Sequence, residues 1–74
     1  MNYKDRIISN PNIMLGKPVI KGTRITVELI LRKLSEGMMI DEILQAYPGI
    51  TKDDVYAALS YSADVISKEE IIVS

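Results

Sequence analysis

The stretch Gly16-Lys17-Pro18-Val19-Ile20-Lys21-Gly22-Thr23-Arg24-Ile25-Thr26-Val27 constrains the chain more than any other. Gly16 and Gly22 can take positive φ at little steric cost, and Pro18 fixes φ near −65° and donates no backbone hydrogen bond. Between them stand the β-branched residues Val19 and Ile20, followed by Thr23, Ile25, Thr26 and Val27. Branching at Cβ favours short extended pieces until a helix takes over. Lys21-Gly22 fits the centre of a type II turn, with Gly22 where positive φ is required. Thr26 stands where an N-cap belongs, and Glu28 suits the positive end of the helix that follows.

That helix is read from Val27, Ile30, Leu31 and Leu34, which recur at i, i+3, i+4 and i+7 and line one apolar face. Arg32 and Lys33 fall near its C-terminal end, and Gly37 is placed to close it in the left-handed conformation. Ile40, Ile43, Leu44 and Tyr47 repeat the spacing with Asp41 and Glu42 in the first turn. Met39 occupies this second helix's N-cap, at a cost of about 1 kcal/mol relative to a side chain that can cap. Pro48-Gly49-Ile50 breaks the pattern. Thr51-Lys52-Asp53-Asp54 then fits a capping-box helix start. The third helix is expected to run to about Ile66, with Val55, Ala58, Leu59 and Ile66 inward. Ahead of the helices, Arg6-Ile7-Ile8-Ser9 reads as a short strand stopped by Asn10-Pro11-Asn12. Ile13-Met14-Leu15 reads as a second apolar run. Both runs need a partner strand, from the same chain or from a second copy.

The Gly16–Val27 stretch also carries a resemblance. With Glu36-Gly37-Met38, Asp41-Glu42-Ile43-Leu44, Tyr47-Pro48-Gly49-Ile50-Thr51 and Asp54-Val55-Tyr56-Ala57-Ala58-Leu59, it resembles the short prokaryotic family catalogued as domain of unknown function 433. The likeness covers roughly residues 7–64. It implies a homeodomain-like three-helix fold, and some members of the family are similar to antitoxins of PIN-domain toxin pairs.

Size and composition set the frame. Seventy-four residues make one small domain, residues 1–74, with a β segment over about 6–25, a helical core over about 27–66 and a β-prone tail over 67–74. A chain of this size buries only about 60% of its unfolded surface on folding. There is no Cys for a disulfide and no His to help hold a structural zinc. With 47% hydrophobic residues, a homodimer is the expected remedy. No apolar run approaches a membrane span and no signal-peptide core is visible, so a cytoplasmic protein is expected.

Net charge is −1, yet residues 1–33 carry seven basic side chains against two acidic ones, and residues 34–74 carry two against eight. Such asymmetry points to a basic binding face or to head-to-tail charge pairing. The second and third helices, joined by a short turn with Gly49, have the dimensions of a helix-turn-helix. Leu44, Ile50, Val55 and Ala58 then fall on its apolar positions, with Gly49 as the turn glycine.

If DNA is bound, the phosphate contacts are Lys17, Lys21, Arg24, Arg32 and Lys33, with Lys52 and Tyr56 reading sequence. Plainer roles exist for several. Arg24 can pair with Glu28 at i+4, Arg32 and Lys33 can be a solvated helix face, and Asp53 and Asp54 can simply start a helix. Tyr47 reads as core, and Met38 and Met39 as adaptable packing.

The lack of His and Cys removes the commonest acid-base group and the thiol nucleophile, so no enzyme and no cofactor are expected. The Gly16-x5-Gly22-Thr23 spacing is wrong for a phosphate loop. Two functions follow. One is a DNA-binding antitoxin-like regulator, a helix-turn-helix homodimer acting at its own promoter and neutralising a PIN-domain-type toxin. The other is a protein-interaction module that binds a partner without DNA, using its acidic half or Ile71, Ile72 and Val73 as an added strand.

Overall fold

The computed structural model of the chain describes residues 2–68. Strand β1 (Ile7–Ile8) pairs antiparallel with β2 (Val19–Ile20), Ile7 opposite Ile20 and Ile8 opposite Val19. Three helices follow: α1 (Val27–Ser35), α2 (Ile40–Ala46) and α3 (Lys52–Ser67). The fold is mainly helical, with a short two-stranded sheet ahead of the helices. The first two strands therefore pair within one chain.

The Lys21-Gly22 turn forms as its residues demand. Gly22 has φ +82°, and Thr23 N–H donates to Ile20 C=O at 3.0 Å, which is the closing bond of a type II turn. The Thr23 hydroxyl donates to the same carbonyl at 2.8 Å and accepts from Ile25 N–H at 3.0 Å. Ile25 to Val27 run back beside β2, with Ile20 N–H on Ile25 C=O and Val27 N–H on Pro18 C=O, both at 2.9 Å. Pro18 thus serves the ladder through its one remaining backbone group.

Thr26 caps α1, its hydroxyl accepting from Leu29 N–H at 3.0 Å. Gly37 closes the helix at φ +93°, with Gly37 N–H on Leu34 C=O and Met38 N–H on Lys33 C=O, both at 3.0 Å. This pair of bonds is the Schellman arrangement. At α2 the Met39 side chain makes no cap hydrogen bond, and Glu42 accepts from Met39 N–H at 2.9 Å instead. At α3 both halves of the capping box form: Asp54 N–H donates to the Thr51 hydroxyl at 3.3 Å and Thr51 N–H to Asp54 Oδ2 at 2.8 Å.

The core joins all these pieces. Ile7 and Ile20 from the sheet, Val27 and Ile30 from α1, Ile43 from α2, Ile50 from the turn, and Val55, Ala57 and Ala58 from α3 form one buried cluster. The two alanines let α3 approach its neighbours closely. Tyr47 packs against the cluster half-buried, as does Met38. Beneath the sheet, Tyr3 meets Tyr61 edge-on at 5.4 Å and 89°, a favoured aromatic geometry.

Two expectations are corrected here. Ile13-Met14-Leu15 does not extend as a strand. Ile13 bridges back to Asn10, and Met14, Leu15 and Gly16 turn left-handed with φ +49°, +58° and +80°. Each non-glycine residue so held costs roughly 1–2 kcal/mol, and Leu15 is left 94% exposed. Leu59 and Ile66 do not point inward either. Leu59 is 40% exposed in mid-helix, on a face its neighbours leave uncovered although Tyr61 and Ser62 beyond it are half-buried, and Ile66 is 61% exposed in the last turn.

Candidate nucleic-acid interface

The site is built where α2, its turn and the start of α3 meet the hairpin that leads into α1. Ile50 closes the turn, its N–H on Tyr47 C=O at 3.2 Å, and buries its side chain with Val55 and Ala58. Leu44 is half-buried against the same cluster. These four positions are apolar as a helix-turn-helix requires. Gly49 departs from the expectation. It does not take a positive φ, so its backbone does not demand glycine. A Cβ there would stand 4.0 Å from the Thr23 methyl, an ordinary contact. The Lys21–Arg24 turn therefore lies near the α2–α3 turn.

The acidic start of α3 is partly offset from an unexpected direction. Asp54 is buried, with one carboxylate oxygen on Thr51 N–H and the other on Arg6 Nη1 at 3.0 Å. Arg6 Nη2 also stands 3.7 Å from Asp53. Arg6 is itself held beside the hairpin, because its carbonyl accepts from Lys21 N–H at 2.8 Å. Of the two carboxylates that would repel a phosphate at this end of α3, Asp54 is therefore turned to capping and to Arg6, while Asp53 stays largely exposed beside the same guanidinium. Only a lone basic residue ahead of an Ile-Ile strand hinted at this in the sequence.

The seven residues expected to touch DNA fall into separate groups. Lys21 and Arg24 lie exposed on the hairpin turn, and among the described residues neither makes an ion pair. Arg24 does not pair with Glu28. Lys52, on the first turn of α3, holds its ammonium 6.0 Å from the Tyr56 ring centroid, within cation–π reach. Both border a 370 Å³ depression with Leu34, Met38, Met39, Ile40 and Asp41, where the starts of α2 and α3 come together.

Lys17 and Arg32 are instead committed to Glu28, at 3.0 and 3.1 Å. The Lys17 ammonium first, and then the Arg32 guanidinium, hold the Glu28 carboxyl below the usual carboxylate range. Lys33 stands 3.6 Å from Glu36. The geometry thus brings together Lys21, Arg24 and the α2–α3 turn, sets Lys52 and Tyr56 at the start of α3, and draws Lys17, Arg32 and Lys33 into surface ion pairs along α1. Ile71, Ile72 and Val73, the expected strand-adding residues, lie outside the described residues.

Away from this face, the Asp64 carboxylate beside the Tyr3 hydroxyl, with some loss of hydration, raises the phenol above its ordinary range. Among the described residues no helix is long and apolar enough to cross a membrane.

Comparison with known proteins places the chain. It is similar to the uncharacterized protein y4eO of Sinorhizobium fredii, 27% identical over 59 residues, which are 80% of this chain and 27% of that protein. It is also similar to the crystal structure of a DUF433 member protein from Anabaena variabilis, at 29% identity and a TM-score of 0.81. That match covers 88% of this chain and 64% of the other, so the chain spans only part of either relative's length. A family model described as "Protein of unknown function (DUF433)" matches residues 7–62. With the fold, the hairpin and the helix starts all inside that match, the chain belongs to the DUF433 family.

Proposed function

We propose that the protein is a small DNA-binding regulator of the antitoxin-like kind, acting in the cytoplasm by binding and not by catalysis. In this reading the start of α3 and the Lys21–Arg24 turn approach duplex DNA together. The observation that carries it is the nearness of that turn to the α2–α3 turn, where Thr23 stands beside Gly49. Two exposed cations then flank the helix end that a helix-turn-helix presents to the major groove. Arg6 adds support by pairing with Asp54 and standing near Asp53, which offsets one of the two negative charges. Lys21 and Arg24 serve as phosphate contacts, and Lys52 and Tyr56 stand where base edges would be read. Lys17, Arg32 and Lys33 join only to the extent that phosphate displaces Glu28 and Glu36. A toxin encoded alongside would be the protein partner.

Fluorescence anisotropy against the DNA upstream of the gene, and against scrambled DNA, tests this at low and physiological salt. Specific binding that weakens steeply with salt is expected. The double variant Lys21→Glu, Arg24→Glu should flatten the log–log salt slope by about 1.8, at about 0.9 per phosphate contact. Equal and negligible binding to both DNAs would remove the proposal.

One observation favours the second reading, a module that binds a protein partner without DNA. Leu15 is almost fully exposed on a left-handed turn, and backbone held in that region clusters at functional sites. The Lys21→Glu, Arg24→Glu chain would then keep its partner, while Leu15→Ser would lose it.

A further inference from the structure

One charged side chain at the start of α3 has no structural task. Asp54 places one carboxylate oxygen on Thr51 N–H and the other on Arg6, and its side chain is only 11% exposed. The Asp53 side chain is 61% exposed, and Arg6 Nη2 stands 3.7 Å from it, beyond hydrogen-bond length. Among the described residues no hydrogen bond reaches its carboxylate. Lys52, Asp53 and Tyr56 are all exposed on the first two turns of α3. At about 3.6 residues per turn, the three share the face turned away from buried Val55, Ala57 and Ala58. We propose, on the DNA-binding reading and dependent on it, that Asp53 is a specificity-determining residue of that face. Its carboxylate accepts from the 4-amino group of a cytosine in the major groove, while Lys52 donates to a neighbouring guanine.

The chemistry of the two side chains selects those bases. Lys52 offers donors only and an ionised Asp53 acceptors only, side by side in the chain. In the major groove guanine shows acceptors only, at N7 and O6, and cytosine shows a donor, its N4 amino group. Thymine O4 and the guanine acceptors would meet a carboxylate lone pair to lone pair. Adenine has a donor at N6 but sets its N7 acceptor beside it. The same charge acts against wrong sites. A carboxylate this exposed repels the phosphates around it, so it weakens binding wherever no cytosine amino group compensates. Discrimination of this kind comes from a penalty on competitors as well as from a contact with the target. Lys21 and Arg24 supply the sequence-independent attraction that the penalty is set against.

The test is selection from a random pool of duplex DNA by the full chain, followed by anisotropy on the selected duplex. The unaltered chain should select a site with one position fixed as cytosine. Replacing that cytosine by thymine should weaken binding by about tenfold, within the range of one good base contact. For Asp53→Ala the same replacement should leave affinity nearly unchanged, and binding to scrambled DNA should tighten. Asp53→Asn keeps an acceptor but loses the charge. It should take adenine as well as cytosine, since an amide reads adenine N6 and N7 together, and it too should bind scrambled DNA more tightly. Asp53 is exposed, so circular dichroism should report an unchanged fold for both variants. An unaltered chain that selects no sequence would remove the DNA-binding reading and this role of Asp53 with it. A selected site without a fixed cytosine, or with the same cytosine dependence in Asp53→Ala, would overturn the role of Asp53 alone and leave the DNA-binding reading standing.

Discussion

Arg6 connects the sheet to α3 by a single guanidinium. Its partner Asp54 is buried and keeps only Thr51 for company once Arg6 is gone. Arg6→Ala is therefore expected to cost about 1–3 kcal/mol, the usual penalty for leaving a buried polar group without its partner. The urea midpoint should fall with an unchanged slope. A loss below about 0.5 kcal/mol would mean that water replaces Arg6 and that the pair behaves as a surface one. At this scale the sequence was readable only locally. Thr26, Thr51 and Asp54 follow from cap chemistry, which needs residues three apart. Arg6 on Asp54 spans 48 positions, and nothing in either neighbourhood announces it. Arg24 shows the same limit in reverse. Its i+4 spacing to Glu28 suggested a pair, but Lys17 and Arg32 reach the carboxylate and Arg24 stays on the turn.

The helices were legible because their periodicity is strong and their ends carry chemical punctuation. All three begin within a residue or two of the expected cap, and the turn at Lys21-Gly22 forms as its glycine predicts. What failed were judgements that depend on neighbours. Whether Leu59 and Ile66 are covered depends on where the neighbouring elements lie around α3, which no periodicity within α3 can reveal. Ile13-Met14-Leu15 has the composition of a strand, yet the tight return through Asn10 forces it left-handed. The glycines separate these effects experimentally. Gly22→Ala should cost about 1–2 kcal/mol, since alanine would be held left-handed. Gly49→Ala should be neutral or raise stability by up to about 1 kcal/mol, because its backbone is open to any residue and the unfolded chain loses freedom. Thermal melts of the two variants check this. A destabilised Gly49→Ala would mean that the turn must flex into a glycine-only conformation.

The whole molecule carries no His and no Cys, so no side chain has an ordinary pKa between about 6 and 8. Stability and DNA binding should both stay level across that range. Acid is different. Glu28 has a lowered pKa in the folded chain, so its contribution is present above the ordinary carboxylate value and is lost as pH falls through the folded one. Chemical denaturation from pH 8 down to 3 should show a plateau and then a decline confined to the carboxylate range. A step near neutrality would contradict the absence of a titrating side chain. The proposed DNA face was only partly legible at this scale. Charge asymmetry singled out residues 1–33, but Lys17, Arg32 and Lys33 turn out to be engaged with Glu28 and Glu36.

The long reach from Arg6 to Asp54 also orders events at the ribosome. At about 5–20 residues per second, the 48 positions between them take roughly 2–10 s to synthesise. Through that interval β1 and β2, two residues each, have no α3 to lie against, and a hairpin so short does not hold by itself. The nascent chain thus presents Ile7, Val19 and Ile20 bare until its last helix emerges. Each newly made molecule therefore passes through an interval in which its apolar strands are exposed to proteases and chaperones.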